Sequence, residues 1–321
     1  MTTNKTITPR SRRRGPLVFL PLLLLAFVGG YYVFGWFSAR SSAAAARAEL
    51  LREVDDELAK EPVDTSALSR LVARIDKLED HTSAADLLAA QARIELVRGR
   101  PERAFDLFSS VGNQPEASEA DRRLLTAILL RRHEAGGTDK AMTEGWLRDA
   151  ATRALAIAER TGNTNDWFVA WQASVRLDDA DAVKRCREQL AAIDAESREA
   201  RLAAAAAAFR ADGPADVLYA LRGEFTVVPI ELAVMVAMAQ LQAGETAAAV
   251  TEIEALLNRA PGLIGVRVAA AIVFHVCVLN SQDDAGKQRW RPRRDAQLDW
   301  LLENAPPDDK RRETWSQMKQ Q

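Results

Sequence analysis

The chain has 321 residues, of which 48% are hydrophobic and 27% charged, with a formal net charge of −2. This apolar content excludes a disordered chain, and the presence of only two cysteines excludes a disulfide scaffold. Residues 1–40 hold six bases and no acid, so the rest has 37 bases against 45 acids and lacks the cationic surface that a general nucleic-acid binder needs.

The first predicted element is an uncharged segment, residues 17–37, which follows a basic N-terminus of residues 1–16. At about 1.5 Å per residue, a helix of this length spans roughly 30 Å, the thickness of a bilayer hydrocarbon core. Aromatic residues gather at its C-terminal end, as they do at membrane interfaces. Four preceding arginines favour a cytoplasmic N-terminus. The sequence predicts a single-pass inner-membrane signal-anchor, with the remaining chain outside the cytoplasm, in the periplasm of a double-membraned bacterium.

Two alternatives to a permanent anchor stay open. A cleavable signal peptide would find small residues for cleavage in 38–46, although 21 apolar residues exceed the usual length of about 7–15. The run Ser11-Arg12-Arg13 suggests a twin-arginine export signal, although Arg14, Gly15 and Pro16 stand where a hydrophobic residue is expected.

The body of the chain is predicted to be all-α. It is rich in Ala, Leu, Glu, Arg and Gln, and Leu68, Leu71, Ile75 and Leu78 form one helical stripe. The nearest strand candidate, residues 226–230, has only five residues, and its proline favours a turn before a helix. Residues 38–62 are interpreted as a helical juxtamembrane segment.

Turn signals recur at intervals of about 32 to 42 residues, the spacing of stacked helical hairpins. They include Gly99, Gly136-Gly137, Asp178-Asp179, Gly244 and residues 280–286. The sequence therefore predicts an α-solenoid of about seven hairpins, with helical repeats over 63–305 and a polar tail over 306–321.

One stretch, residues 233–261, carries small and large residues in a specific order. Ala237 and Ala249 allow two helices to approach closely, Gly244 accepts the turn between them, and Pro261 ends the second helix. With Ile253 as its large apolar residue, this stretch resembles the tetratricopeptide repeat (TPR), whose period is 34 residues.

Further stretches repeat the pattern. Residues 88–115 place Ala92, Gly99, Ala104 and Phe108 in the corresponding positions, and a weaker match at 170–182 has an aspartate, Asp178, in place of the glycine. The segment Leu256–Pro261 also recurs as Leu301–Pro306. These units resemble degenerate TPRs; an irregular helical bundle that shares the period is the alternative.

The resemblance implies a concave face, lined by the first helix of each hairpin, that binds extended polypeptide. Mapping this face onto the two best repeats gives the candidate partner-binding residues. They are Asp86, Arg93, Leu96, Glu231, Met238 and Gln242.

No catalytic, metal or cofactor motif stands out. The three histidines have no second ligand at helical spacing, and His275 cannot meet Cys277 on a helix because residues two apart point in different directions. Cys186 and Cys277 are separated by nearly three repeats, which argues against a disulfide. The sequence therefore predicts a protein that is not an enzyme and carries no cofactor.

A basic run at 287–294 is the other local feature. It surrounds Trp290 and is interpreted as an insertion before the last helix. It would bind anionic lipid headgroups or an acidic partner, or be a solvated loop whose tryptophan packs on the last repeat. Its bases are Lys287, Arg289, Arg291, Arg293 and Arg294.

The function that follows is a membrane-anchored TPR-like scaffold or adaptor that binds a protein or peptide in the cell envelope. A self-assembling structural component of the envelope is one alternative, and an envelope enzyme without a recognisable motif is the other. The sequence leaves the oligomeric state and the partner open.

Overall fold

The computed structural model describes residues 44–60, 63–78, 83–136, 139–209, 215–306 and 309–320, and within these ranges it contains fifteen α-helices and no strand. Two compact units divide the chain, residues 1–78 and 79–321. The predicted anchor, 17–37, and the basic N-terminus lie outside the described residues. Among the helices that are described, none combines the length and apolarity needed to cross a bilayer.

The first unit contains a helical pair, α1 (44–58) and α2 (Thr65–Ile75). Helix α2 begins where the Asp64 side chain accepts a hydrogen bond from the Ser66 backbone N–H, at 2.8 Å. Three residues of its predicted stripe, Leu68, Leu71 and Ile75, are buried. The fourth, Leu78, lies beyond the end of the helix and is half-buried.

The second unit contains thirteen described helices, and most of them pack against the next helix along the chain. They are α3 (Ala85–Val97), α4 (Pro101–Gly112), α5 (Glu119–Ala135), α6 (Lys140–Thr161), α7 (Thr164–Leu177), α8 (Ala180–Asp194), α9 (Arg198–Ala208), α10 (Ala215–Gly223), α11 (Ile230–Gln242), α12 (Thr246–Arg259), α13 (Ile264–Asn280), α14 (Asp284–Asn304) and α15 (Arg312–Gln320).

Short polar side chains begin many of these helices. Each accepts a hydrogen bond from a backbone N–H in the first turn, which satisfies a donor that the helix itself leaves unpaired. The residues that do this are Ser118, Asp139, Asn163, Asp179, Ser197 and Asp283. The helix boundaries are therefore set locally by the sequence.

Three hairpin turns share one geometry. Gly99, Asp178 and Gly244 all have positive φ, at 71°, 59° and 82°. In each turn this residue donates its N–H to the carbonyl three residues back, and the next residue donates to the carbonyl five back. This is the Schellman arrangement, which satisfies the last carbonyls of the first helix. The predicted replacement of glycine by Asp178 is confirmed.

The small residues of the two best repeats lie at the centre of their hairpins. Ala92, Ala104 and Phe108 are fully buried in the core of α3–α6, and Ala237 and Ala249 are fully buried in the core of α11–α13. The chain thus folds as TPR-like helical repeats, as predicted. Six successive helix pairs, α3–α4 through α13–α14, lie within the described ranges of the second unit. The expected number of about seven stays a prediction.

Two assignments near the C-terminus differ from the structure. Residues 306–321 were expected to form a polar tail, yet α15 lies there and buries Trp315. The basic run 287–294 was expected in a loop, yet it forms the first half of α14, with Pro292 inside the helix. Tertiary contacts explain the second difference, because Trp290 stacks on Phe274 of α13 with the ring centroids 5.9 Å apart.

Candidate partner-binding cavity

The second unit closes on itself between α5 and the connection from α12 to α13. The Gly262 N–H donates to the carbonyl oxygen of Glu134 at 2.9 Å. A Cβ at Gly262 would lie 2.5 Å from the Cα of Gly136 and 2.7 Å from the carbonyl oxygen of His133, so only glycine fits there. Because three hairpins separate these segments along the chain, the contact brings distant side chains together.

A cavity of about 430 Å³ lies beside this contact, among α5, α6, α7, α9, α11, the end of α12 and the segment 225–229 that precedes α11. Apolar side chains form much of its lining. They are Ala127, Leu130, Ala154, Ile157, Phe168, Val169, Phe225, Val227, Pro229 and Ile230.

A buried arginine, Arg176 of α7, is the polar centre of the cavity wall. Its Nη1 lies 2.7 Å from Glu134 Oε1 and its Nε lies 2.9 Å from Glu231 Oε1. Gln172 donates to the second oxygen of Glu231 at 3.0 Å. Burial alone would lower the pKa of Arg176, but the two carboxylates outweigh burial and raise that pKa. The ion triad therefore joins α5, α7 and α11.

A saturated carboxylate, Asp166, lies at the end of the cavity nearest the start of α7. Arg123 binds it through two nitrogens, at 2.8 and 2.6 Å, and Thr161 and Asn163 each donate to it at 2.6 Å. Burial would raise the pKa of Asp166, but these four hydrogen bonds together hold that pKa below its usual range. The chain itself therefore supplies the hydrogen-bond donors for the carboxylate at this end of the cavity.

Two more arginines stand at the rim near Glu134. Arg131 donates to Glu134 Oε2 at 2.7 Å, while Arg259 of α12 donates to the carbonyl oxygen of Val228 at 2.7 Å. Desolvation lowers the pKa of Arg259, and the positive charge of Arg131 lowers it further. Both arginines remain accessible at the surface.

The predicted partner-binding residues are not brought together at this cavity. Glu231 does not line the cavity itself, but it pairs with Arg176, which does. Met238 is half-buried against the core of α11–α13, and Gln242 is exposed beyond it. In the earlier repeat Asp86 and Arg93 are exposed, and Leu96 packs partly into the core of α3–α6. Their role in partner binding stays a prediction.

The five bases of the run 287–294 point in different directions on α14. Arg294 is buried, with its Nε 2.9 Å from Asp295 Oδ1 and its Nη1 3.3 Å from His275 Nδ1. Arg293 pairs with Glu254 at 2.5 Å. These two arginines hold α14 against neighbouring side chains, while Arg289 and Arg291 remain exposed.

The remaining titratable groups of interest are two half-buried histidines and two buried cysteines. Burial lowers the pKa of His133 and, together with nearby Arg294, that of His275. Burial raises the pKa of the Cys186 thiol to about 11, and both cysteines are free. Within the described ranges no group of three or more His, Cys, Asp and Glu side chains is arranged to hold a metal ion; the third histidine, His81, lies outside those ranges.

Comparison with known proteins gives a structural similarity only. No family model matches the chain, and no curated protein matches it. Among solved structures, a tetratricopeptide repeat protein from Parabacteroides merdae ATCC 43184 is 12% identical in sequence. The alignment covers 85% of this chain and 97% of that chain, with a TM-score of 0.41. The repeats are identified by their own turns and packing.

Sequence reasoning missed the cavity. Its principal charged residues, Arg131, Arg176 and Arg259, are separated by 45 and 83 positions, and each resembles an ordinary surface arginine of an amphipathic helix. The only local signal was the pair of glycine-containing turns at Gly136 and Gly262, whose mutual contact no local pattern predicts.

Proposed function

We propose that this chain is a membrane-anchored TPR-like scaffold or adaptor of the cell envelope, which binds a protein or peptide partner in the cavity of its second unit. The single observation that carries the proposal is the cavity itself. Its volume of about 430 Å³ lies within the range of ligand-binding pockets, roughly 300–1,000 Å³.

The chemistry of the lining favours a polypeptide partner. Apolar side chains cover the floor, and arginines stand at the rim, so the surface accepts apolar and polar side chains side by side. Val227, one of the residues that line the cavity, is 65% exposed and is therefore accessible to an occupant. Stacked helical hairpins use such inner surfaces to bind extended segments.

The anchor part of the proposal depends on residues 17–37 and the arginines before them. An uncharged stretch of this length inserts into a bilayer, and the basic flank keeps the N-terminus in the cytoplasm. A reporter fused to the C-terminus should be active outside the cytoplasm and should remain in the membrane fraction after alkaline washing. A cytoplasmic signal would contradict the proposed localisation.

Site-specific photocrosslinking tests the partner-binding role. A photoreactive amino acid at Val227 should yield a discrete protein adduct in intact cells, because this side chain faces any occupant of the cavity. Val97 of α3 is the matched control, since it is also an exposed valine, 47% accessible, but does not line the cavity.

An adduct at Val227 and none at Val97 would support the proposal. Equal labelling at both positions, or none at either, would contradict it. An adduct between two copies of this chain would favour the alternative of a self-assembling envelope component, which mass measurement in mild detergent then distinguishes from a monomer.

A further inference from the structure

We infer that the partner segment carries a carboxylate, which binds between Arg131 and Arg259, next to an apolar side chain that covers the cavity floor. This inference depends on the proposed function, because it names the chemistry of the occupant of the same cavity.

An imbalance of charge at one corner of the cavity carries the inference. Three guanidinium groups meet there, those of Arg131, Arg176 and Arg259, and only two carboxylates, Glu134 and Glu231, face them. Glu134 is already shared, with one oxygen on Arg131 and the other on Arg176. One positive charge is left without a carboxylate among the described residues.

That charge belongs to Arg259. Its hydrogen bond goes to the carbonyl oxygen of Val228, and within the described part of the chain no acidic side chain lies within ion-pair distance of it. A guanidinium has five N–H donors in a planar fork that fits the two oxygens of a carboxylate. Arg259 thus has donors to spare, and Arg131 beside it makes the corner more positive.

The position of this corner also supports the inference. Arg131 and Arg259 are surface-accessible, so a partner reaches them without displacing the buried triad around Arg176. A bound carboxylate would relieve the repulsion between the two arginines and would stay partly shielded from solvent. Both effects strengthen a charge-assisted hydrogen bond.

The surface next to Arg259 is apolar, so a small acid alone would leave it uncovered. Val228, which receives the hydrogen bond from Arg259, follows Val227 at the mouth, and Phe225 and Ile230 line the adjacent wall. Acetate would leave this apolar surface exposed to water. An acidic residue beside a leucine or phenylalanine in a polypeptide fills both parts of the site.

The opposite end of the cavity offers no free carboxylate to a basic partner among the residues described there. Asp166 already accepts from Arg123, Thr161 and Asn163, and Glu199 pairs with Arg198 at 2.8 Å. Because the acidic groups that line the cavity are engaged within the chain, the surplus charge is positive and selects an anion.

Selection from a random library of short synthetic peptides tests the inference. The full chain in mild detergent is immobilised, and bound peptides are identified by mass spectrometry, in one arm with amidated C-termini and in another with free C-termini. We expect peptides with Asp or Glu beside Leu or Phe to be enriched about tenfold in the amidated arm, the effect of one charge-assisted hydrogen bond. Enrichment only in the arm with free C-termini would assign the carboxylate to the chain terminus.

Two variants localise the effect. Arg259→Gln should remove the acidic enrichment, because it replaces the guanidinium by a neutral amide at an exposed position. Arg267→Gln is the control: Arg267 also donates to a backbone carbonyl, that of Pro261, and has a pKa lowered by desolvation, but it does not line the cavity. Unlike Arg259, it is half-buried and donates to Gln297 as well. It should retain the enrichment, and thermal unfolding checks that both variants fold.

The outcomes separate this inference from the proposed function. If amidated peptides without acidic residues bind as well as acidic ones, or if Arg259→Gln keeps the acidic preference, the inference is wrong while cavity binding stands. If no peptide is enriched although Val227 gives an adduct, the inference again fails alone. If no peptide is enriched and Val227 gives no adduct, both fail.

Discussion

The two ends of the cavity hold their charges differently. At one end a single carboxylate, Asp166, accepts four hydrogen bonds from Arg123, Thr161 and Asn163, so that its charge is neutralised within the chain. At the other end three guanidinium groups face two carboxylates, and Arg259 donates only to a backbone carbonyl. The paired clusters around Asp166 and Arg176 stabilise the fold, whereas the surplus charge of Arg259 at an accessible rim is suited to a ligand.

The largest expected effect concerns the ion triad. Arg176→Ala leaves Glu134 and Glu231 facing each other in a buried wall, and breaking a buried pair costs about 3–5 kcal/mol in the free energy of unfolding. Urea unfolding measures the loss. Arg123→Ala at the other end should cost less, because the Arg123 side chain is 42% exposed, against 8% for Arg176, and Asp166 keeps its bonds from Thr161 and Asn163. Equal losses would contradict the burial of the triad.

The contact that closes the second unit gives the next effect. In Gly262→Ala the new Cβ meets backbone atoms of Gly136 and His133 closer than 3 Å, so we expect a loss of about 3 kcal/mol, the upper end of typical overpacking costs. Gly265→Ala, three residues along in α13, meets nothing within 4 Å and should leave the unfolding midpoint unchanged or raised. If both variants unfold at the same urea concentration, the close contact is not present in solution.

The saturated end predicts a dependence on acid pH. Because the folded-state pKa of Asp166 is below its unfolded value, its stabilisation is present above the unfolded pKa of about 3.9 and is lost as the pH falls through the folded-state pKa. Asp166→Asn should therefore cost about 1–2 kcal/mol at neutral pH and progressively less in acid. Urea midpoints of the parent chain and the Asp166→Asn variant, measured at neutral and at acid pH, check this. A difference between the two proteins that is independent of pH would be inconsistent with an ionised Asp166 held by Arg123.

The smallest effect comes from His133, near the closing contact. Burial lowers its folded-state pKa, so protonation favours the unfolded chain and stability falls as the pH drops below the unfolded value of 6.5. His133→Gln should flatten this part of the stability curve between about pH 7.5 and about pH 5.5. His275→Gln should flatten it less, because that histidine is nearer the surface; an unchanged slope in the His133 variant would show that this residue is not buried in its neutral form.

The hairpins were predictable because their signals are local. Gly99 and Gly244 occupy turns that need positive φ, and Ala92, Ala104, Ala237 and Ala249 occupy positions where helices cross closely. Each of these signals involves residues that lie within one or two helical turns of each other in the sequence. Asp178 shows that the same turn forms without glycine, since aspartate tolerates the left-handed region better than most residues.

The cavity and the course of α14 were not predictable in the same way. The hydrogen bond from Gly262 to Glu134 joins residues 128 positions apart, and no periodicity encodes it. The basic run around Pro292 has a composition typical of a loop, but Trp290 packs on Phe274 and Arg293 pairs with Glu254, and these contacts hold it in a helix. Long-range packing decides both cases.

Amide hydrogen exchange on the full chain, with and without an acidic peptide from the selection, tests most directly whether the cavity receives the partner. We expect added protection in segment 225–230, at the C-terminal ends of α5 and α12, and little change elsewhere. Protection confined to α3 and α4, or to the basic first half of α14, with segment 225–230 unchanged, would contradict the account.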